Sequence, residues 1–302
     1  MSAKITAPNP RKFFTASRLE AVTGYLFLLP DLAGLAVFLV IPIGYAFYIS
    51  LHDWNALSQM QWAGLSNYVR LFADGQFWSS LKTTALYTVF YVPIVYCLSL
   101  CLALLVNQRL PLMRFFRTVF FVPVVLSLVV SSLMWKYIFD ERAGLLNYLL
   151  GFIGIPPQPW LGSVELALPA IIIVSLWIQM GYFMVIFIAG LQDIPREYYE
   201  AARIDGANRW QMFWRITLPL LKPTSLFVIV ISLIGSFQVF DQIWVMTKGG
   251  PANATQVTAI YIYQQAFQYL NLGYGSAIAF VLFVIILGFS LLQFKLLGTT
   301  QP

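Results

Sequence analysis

Apolar residues in this chain gather into long runs separated by shorter polar stretches. A helix needs about 20 mostly apolar residues to cross the hydrocarbon of a bilayer. Six runs meet that length, at approximately 24–50, 84–106, 116–138, 167–190, 224–246 and 275–297. The pattern therefore predicts an all-α integral membrane protein with six transmembrane helices. The first run exceeds what a span requires and contains Pro30-Asp31. A short interfacial segment is expected before it, with Asp31 capping the true span near the cytoplasmic headgroups; the alternative is an intramembrane functional carboxylate. Lys4, Arg11, Lys12 and Arg18 precede this run, as in a secretory leader. The run is too long for a leader and has no small-residue cleavage site, so it reads as a retained span.

The placement of Lys and Arg orients the spans. The N-terminal tail holds four, the 107–117 loop has Arg109, Arg114 and Arg117, the 191–223 loop has five, and Lys295 closes the last run. The other side holds Arg70, Lys82, Lys136, Arg142 and Lys248. Both termini are therefore expected in the cytoplasm, with the loops 52–83, 140–166 and 247–274 facing outward. Trp54, Trp62, Trp78, Trp135, Trp160 and Trp244 lie in or near those loops, as in an interfacial aromatic belt. The expected divisions are a tail at 1–23, a six-helix domain at 24–298 containing the 191–223 loop, and a tail at 299–302.

Composition agrees. Hydrophobic residues make up 60% of the 302 positions, charged residues 10%, and the mean hydropathy is +0.77. A soluble domain carries roughly 25% charged residues to wet its surface. The net charge of +6 could suggest nucleic acid, but its distribution argues for membrane topology instead. Cys97 and Cys101 share a helical face inside one run and read as buried small hydrophobes. His52, the single histidine, leaves no His-rich cluster for a catalytic metal.

The most informative polar stretch is LQDIPREYYEAARIDGANRWQMFWRITLPLLKP, residues 191–223. Pro195 suits a first helical turn, Arg196 to Asp205 forms helix well, and Gly206 breaks it. A second segment carries Trp210, Phe213 and Trp214 on one side and is expected to end at Pro219. Two short helices at the membrane surface result. Ala201 and Ala202 allow close approach, and Glu200 and Asp205 offer charge to a partner. An interfacial amphipathic loop without a partner is the alternative.

Glu200-Ala201-Ala202, Gly206, Ile216 and Leu218-Pro219, at these spacings, resemble the EAA motif of ABC-importer permeases. Residues 62–88, the Gly249-Gly250-Pro251 turn and residues 260–280 resemble the maltose/glycerol-3-phosphate-type sugar permeases. The resemblance runs from about residue 24 onward; the large outward domain of the maltose-type founder has no counterpart in loop 52–83 or the other outward loops. It implies that the loop between helices four and five is a cytoplasmic coupling helix. Glu200, Ala201, Ala202, Asp205 and Gly206 would then dock an ATP-binding subunit. The implied partners are a homologous second permease, two ATP-binding subunits that hold ATP and Mg, an extracytoplasmic solute-binding protein and the lipid bilayer. The chain itself would bind no cofactor, metal or nucleic acid and would not be an enzyme.

Polar residues at membrane depth mark where a solute would sit. Ser232, Gly235, Ser236 and Val239 fall at i, i+3, i+4 and i+7 in the fifth run, with Gln238 and Asp241 on an adjoining face. Ser175, Gln179 and Tyr182 line a face of the fourth. Hydroxyls, amides and aromatic rings suit a polyhydroxyl solute; close helix packing is the competing explanation. The resemblance favours Gln179, Tyr182, Ser232, Gly235, Ser236 and Val239 as solute-site positions. Because Gly235 and Val239 have no side-chain donor, specificity would differ from the family's or rest on the partner permease. Asp241 would contact solute, the partner subunit or the interface. Lys and Arg are missing from the span centres, which favours a neutral sugar, oligosaccharide or polyol over a sugar phosphate. An ion-coupled secondary transporter would need intramembrane charge pairs or repeat symmetry, and only Asp241 hints at either. An intramembrane enzyme would need a catalytic group set. No G-x-x-x-x-G-K-[ST] phosphate loop is present, so the ATPase must be another chain.

Overall fold

The computed structural model describes residues 10–108 and 111–297, and these are mainly helical. The 299–302 tail and the first nine residues of the 1–23 tail lie outside the described residues. Helix α1 (Pro10–Leu35) continues through a π-turn at Ala36–Val40 into α2 (Ile41–Ser50). The helix therefore does not restart at Pro30, and Asp31 sits inside it instead of capping it. The π-turn has a local cause. Pro42 cannot donate to the carbonyl four residues back, and the widened turn lets the Ile41 N–H bond Ala36 O instead. The same device recurs at Phe213–Thr217, just before Pro219, where the Leu218 N–H bonds Phe213 O.

A two-stranded antiparallel ribbon follows, β1 (His52–Asp53) against β2 (Gln61–Trp62), an element outside the all-α expectation. Then come α3 (Ser66–Ala73) and the long α4 (Gly75–Val106), capped by Asp74, whose side chain accepts from the Gln76 N–H at 2.8 Å. The third apolar run is broken. Helix α5 (Met113–Val125) and α6 (Leu128–Ile138) meet at 100° across extended Leu126 and Ser127. Pro123 lies in the last turn of α5, and the valines around it are weak helix formers, which stops the helix there.

Helix α7 (Leu145–Gly151) lies in the next loop, and α8 (Ala167–Gln192) follows. Then come α9 (Arg196–Ile204), α10 (Arg209–Met212), the second π-turn, α11 (Leu218–Leu220) and α12 (Lys222–Phe237). Pro219 does not end a helix, because the π-turn absorbs it and the chain turns only at Leu221. The fifth run also breaks: α12 stops at Gln238, and α13 (Asp241–Met246) restarts after Phe240. Helix α14 (Thr258–Tyr263) and α15 (Leu272–Leu297) complete the chain. Five helical segments are long and apolar enough to cross a membrane, or six if the bent α5–α6 pair counts as one span.

Helix α8 is the centre of the packing, held between α4 and α5, with α12 and α13 also against it. Its core includes Val174, Ile178, Met184 and Phe187, with Val95 and Ala103 from α4. Lipid tails are as apolar as these side chains, so close fit, not water exclusion, holds such helices together. Gly181 supplies the closest fit: a Cβ there would fall 2.0 Å from the Phe120 carbonyl oxygen of α5. The first span behaves differently, since its most apolar window has no buried residue. Cys97 and Cys101 are free and exposed on α4, not buried as their apolar neighbours suggested, because α4 packs through its Val95, Ser99 and Ala103 face.

Candidate functional site

The breaks in the third and fifth runs open onto one cavity of about 360 Å³, bounded by α4, α6, α8, α12 and α13. Of the residues expected at a solute site, Gln179, Tyr182, Ser232, Gly235, Gln238, Val239 and Asp241 line it, as does Ser175. Gly235 leaves open space, since nothing lies within 4 Å of where its Cβ would be. The interruption at Gln238–Phe240 re-aims the chain, so Val239 and Asp241 reach the cavity without continuing the helical face of Ser232 and Gly235. Asp241 begins α13, where an acid faces the helix's positive end.

Ser236 is placed differently. It is buried, donates to Leu233 O at 2.7 Å, shares a 2.9 Å hydrogen bond with the Thr88 hydroxyl, and so ties α12 to α4. Ser175 and Ser232 also hold local backbone bonds, to Ile171 O at 2.9 Å and Ile229 O at 3.1 Å. Their hydroxyls keep acceptor capacity toward the cavity.

Residues that the sequence reading missed complete the lining. Tyr87 and Tyr91 of α4 stack with centroids 5.3 Å apart at 13°, and Phe183, Phe240 and Gln242 join them. The missed signal was a pair of tyrosines at i and i+4 inside an apolar run, which places two hydroxyl-bearing rings on one helical face. Asp241 is the single charged side chain among the described residues of the lining. Rings plus neutral hydrogen-bonding groups can stack on C–H faces and pair with hydroxyls; they offer no cation to an anionic ligand.

A second candidate region is the α9–α10 loop. Helix α9 ends at Asp205, and Gly206 takes φ +79°, a left-handed turn that costs glycine little. Ala207 N–H bonds Ala202 O at 2.8 Å to close that turn. Asn208 then starts α10 with a reciprocal capping box to Gln211, each bond 2.9 Å. Glu200, Ala201, Asp205 and Gly206 are exposed and Ala202 half-buried. Ile204 at 87% exposure and Trp210 at 68% stand out from the same surface, far more than isolated packing would leave. Trp210, Phe213 and Trp214 form one aromatic group, with centroids 5.3 to 6.2 Å apart. Among the described residues, no three His, Cys, Asp or Glu gather where they could hold a metal ion.

A helical membrane body with a polar cavity at its helix breaks and an exposed two-helix loop beside it is the architecture of a transporter's membrane subunit. Residues 96–296 match the profile of the binding-protein-dependent transport system inner membrane component, and the chain belongs to that family. It is 40% identical over 280 residues to the probable ABC transporter permease protein YurN of Bacillus subtilis (strain 168), covering 91% of this chain and 96% of that protein. It is 37% identical over 280 residues to the trehalose/maltose transport system permease protein MalF of Thermococcus litoralis, covering 91% and 94%. Its fold matches a chain of a bacterial ABC transporter involved in the import of the acidic polysaccharide alginate. That match has a TM-score of 0.82 at 25% identity over 97% of this chain and 100% of the other. The chain is thus a multi-pass inner-membrane permease component of an ABC importer.

Proposed function

We propose that this chain forms half of the pathway through which an ATP-driven importer takes up a neutral sugar, oligosaccharide or polyol. The observation that carries the solute class is the cavity at the α12–α13 break. Its lining of tyrosines, amides and serines suits hydroxyls and ring faces, and Asp241, the one charge among the described lining residues, would repel a polyanion. A permease of trehalose and maltose among the relatives supports a saccharide; the lack of a cation among the described lining residues favours a neutral one over an alginate-like acid. Gln179, Tyr182, Ser232, Gly235, Gln238, Val239 and Asp241 contact the solute in this reading, and Ser236 holds α12 in place for them.

The chain spans the membrane six times, the α5–α6 pair serving as one broken span, with both termini in the cytoplasm. The body at 24–298 acts as one permease domain, with the 191–223 loop as its coupling element. A solute-binding protein delivers ligand to the outward loops, consistent with the family's binding-protein-dependent transport. Glu200, Ala201, Ala202, Asp205 and Gly206 dock an ATP-binding subunit, and the exposure of Ile204 and Trp210 supports a partner on that face. Two such subunits hold ATP and Mg, so hydrolysis is not this chain's own chemistry. A homologous second permease supplies the other half of the pathway, and the unpacked first span supports a neighbour on that side.

The test is uptake and ATP hydrolysis by the assembled transporter carrying Glu200→Lys or Gly206→Asp. Loss of roughly 1.4 kcal/mol or more at the docking contact corresponds to at least a tenfold fall in coupled uptake. The chain should stay in the membrane at its normal level, and solute-loaded binding protein should no longer stimulate hydrolysis. Normal uptake in both variants would overturn the docking role.

A further inference from the structure

A second cavity lies away from the solute site, where the end of α4, the start of α5, the end of α8 and the start of α9 converge. It measures about 900 Å³. Three arginines line it, Arg114 and Arg117 from α5 and Arg196 from α9, and among the described residues no Asp or Glu does. Arg114 and Arg117 are three apart on a helix and so share a face. The Nε of Arg117 is buried and has no hydrogen-bond partner. A buried N–H on a charged group is costly to leave unpaired, which favours an acceptor beside Arg117. Neutral hydrogen-bonding groups ring the charges: Gln192 donates to Asn107 Oδ1 at 3.4 Å, and Tyr199 shares a 2.9 Å bond with Thr217. Gln108 adds a further amide, and Val106, Leu112, Met113, Leu191 and Ile194 supply apolar wall.

We propose that this cavity binds a phosphate-bearing anion, which bridges α5 to α9. A guanidinium presents a planar fork that matches two phosphate oxygens, and several converging forks select phosphate over a simple carboxylate. The apolar part of the wall would suit a glycerol and the start of an acyl chain, and Phe115 and Phe116, between Arg114 and Arg117 in the chain, are exposed on α5. A basic pocket between spans on the cytoplasmic side is where an anionic lipid headgroup would lie. That leaflet assignment rests on the orientation under Proposed function; the binding itself does not. An inner-leaflet phospholipid and a soluble phosphate compound share this chemistry and are the two possible sources. The occupant would brace Arg196, at the start of the proposed docking helix, against the membrane body.

The experiment uses the full-length chain within its purified transporter complex in micelles of a phosphate-free, non-ionic detergent. Phosphatidylglycerol is added and retained lipid is counted by native mass spectrometry, with and without competing inorganic phosphate. Wild type should hold phosphatidylglycerol, and R114Q/R117Q should bind it on the order of tenfold more weakly or worse, the loss expected for charge-assisted hydrogen bonds. R114K/R117K should fall between them, since lysine keeps the charge without the fork. R142Q, on another loop, should match wild type. Retention that resists phosphate identifies the lipid as the source, and displacement by phosphate identifies the soluble anion; either outcome supports the site. Should the double variant fail to assemble, R117Q alone replaces it. Equal retention by wild type and the glutamine variant overturns the proposal. So does binding to the isolated chain that vanishes in the complex, which would mean that an ATPase-subunit side chain fills the cavity. Micelles have no sidedness, so failure here and failure of the coupling variants remain separate results.

Discussion

Asp74 shows how one side chain organises the end of the molecule where α4, α14 and α15 meet. Its Oδ2 accepts from the Tyr261 and Tyr274 hydroxyls at 2.5 Å each, and Arg70 lies 4.2 Å over the Tyr274 ring. Partial burial pushes the carboxyl up, but the tyrosine and backbone hydrogen bonds outweigh it and hold the carboxyl below its ordinary 3.8. Burial and the same carboxylate push Tyr261 up to about 12, so it remains a donor at physiological pH. A lowered folded-state value stabilises the protein fully above the ordinary carboxylate value. That stability is lost as pH falls through the lower, folded one. Asp74→Asn should therefore cost about 1.5–3 kcal/mol near neutrality and flatten the acid limb of a melting-temperature profile taken below pH 4. An unchanged acid limb would remove Asp74 from that role. At the cavity, Gln179→Leu should raise the KM for uptake on the order of fivefold, the effect of one neutral hydrogen bond. Its amount in the membrane should be unchanged.

Among the elements, the decisive contact is the approach of α8 to α5 at Gly181. Valine there would drive its side chain into the Phe120 carbonyl, and backbone cannot yield as a side chain can. Gly181→Val should destabilise the purified complex by about 1–3 kcal/mol, read as a lower Tm. Its effect should exceed that of Gly288→Val, where nothing lies within 4 Å. The prolines act at the same scale. Pro42 and Pro219 are absorbed by π-turns, whereas Pro123 precedes a 100° break. Each removes one donor, but only after Pro123 does the chain run extended through Leu126 and Ser127. A proline thus marks a perturbation, and its neighbours in space decide whether the helix continues.

At the scale of the whole molecule, the proposed topology makes a direct prediction. In a chain with Cys97 and Cys101 replaced by alanine, a cysteine at exposed Glu141 should react with a membrane-impermeant maleimide in intact cells. One at exposed Tyr198 should react only after the cells are opened. The reverse pattern would invert the topology and place α9 on the wrong side for an ATPase. The exposed apolar helix at 20–50 and the exposed ridge of Ile204 and Trp210 are both surfaces that a larger assembly would cover.

Much of this was legible in the residues. Long apolar runs with few charges dictate membrane helices, since lipid leaves only helices and closed barrels as spanning forms and barrel strands are short and alternate in polarity. The turn at Gly206 was equally readable, because a helix closed by Gly206 and a capped restart at Asn208 are built from local interactions, whereas the end expected at Pro219 was not. What the amino-acid order could not decide was which runs break, and which polar groups turn inward. Tyr87 and Tyr91 became cavity walls, and Ser236 became a tie to Thr88, only when α4, α8 and α12 packed together. Those outcomes depend on contacts between residues far apart in the chain, as does the cluster joining Asp74 to Tyr261 and Tyr274. A run of hydrophobic residues specifies burial in lipid or protein, but not which neighbour will be met there.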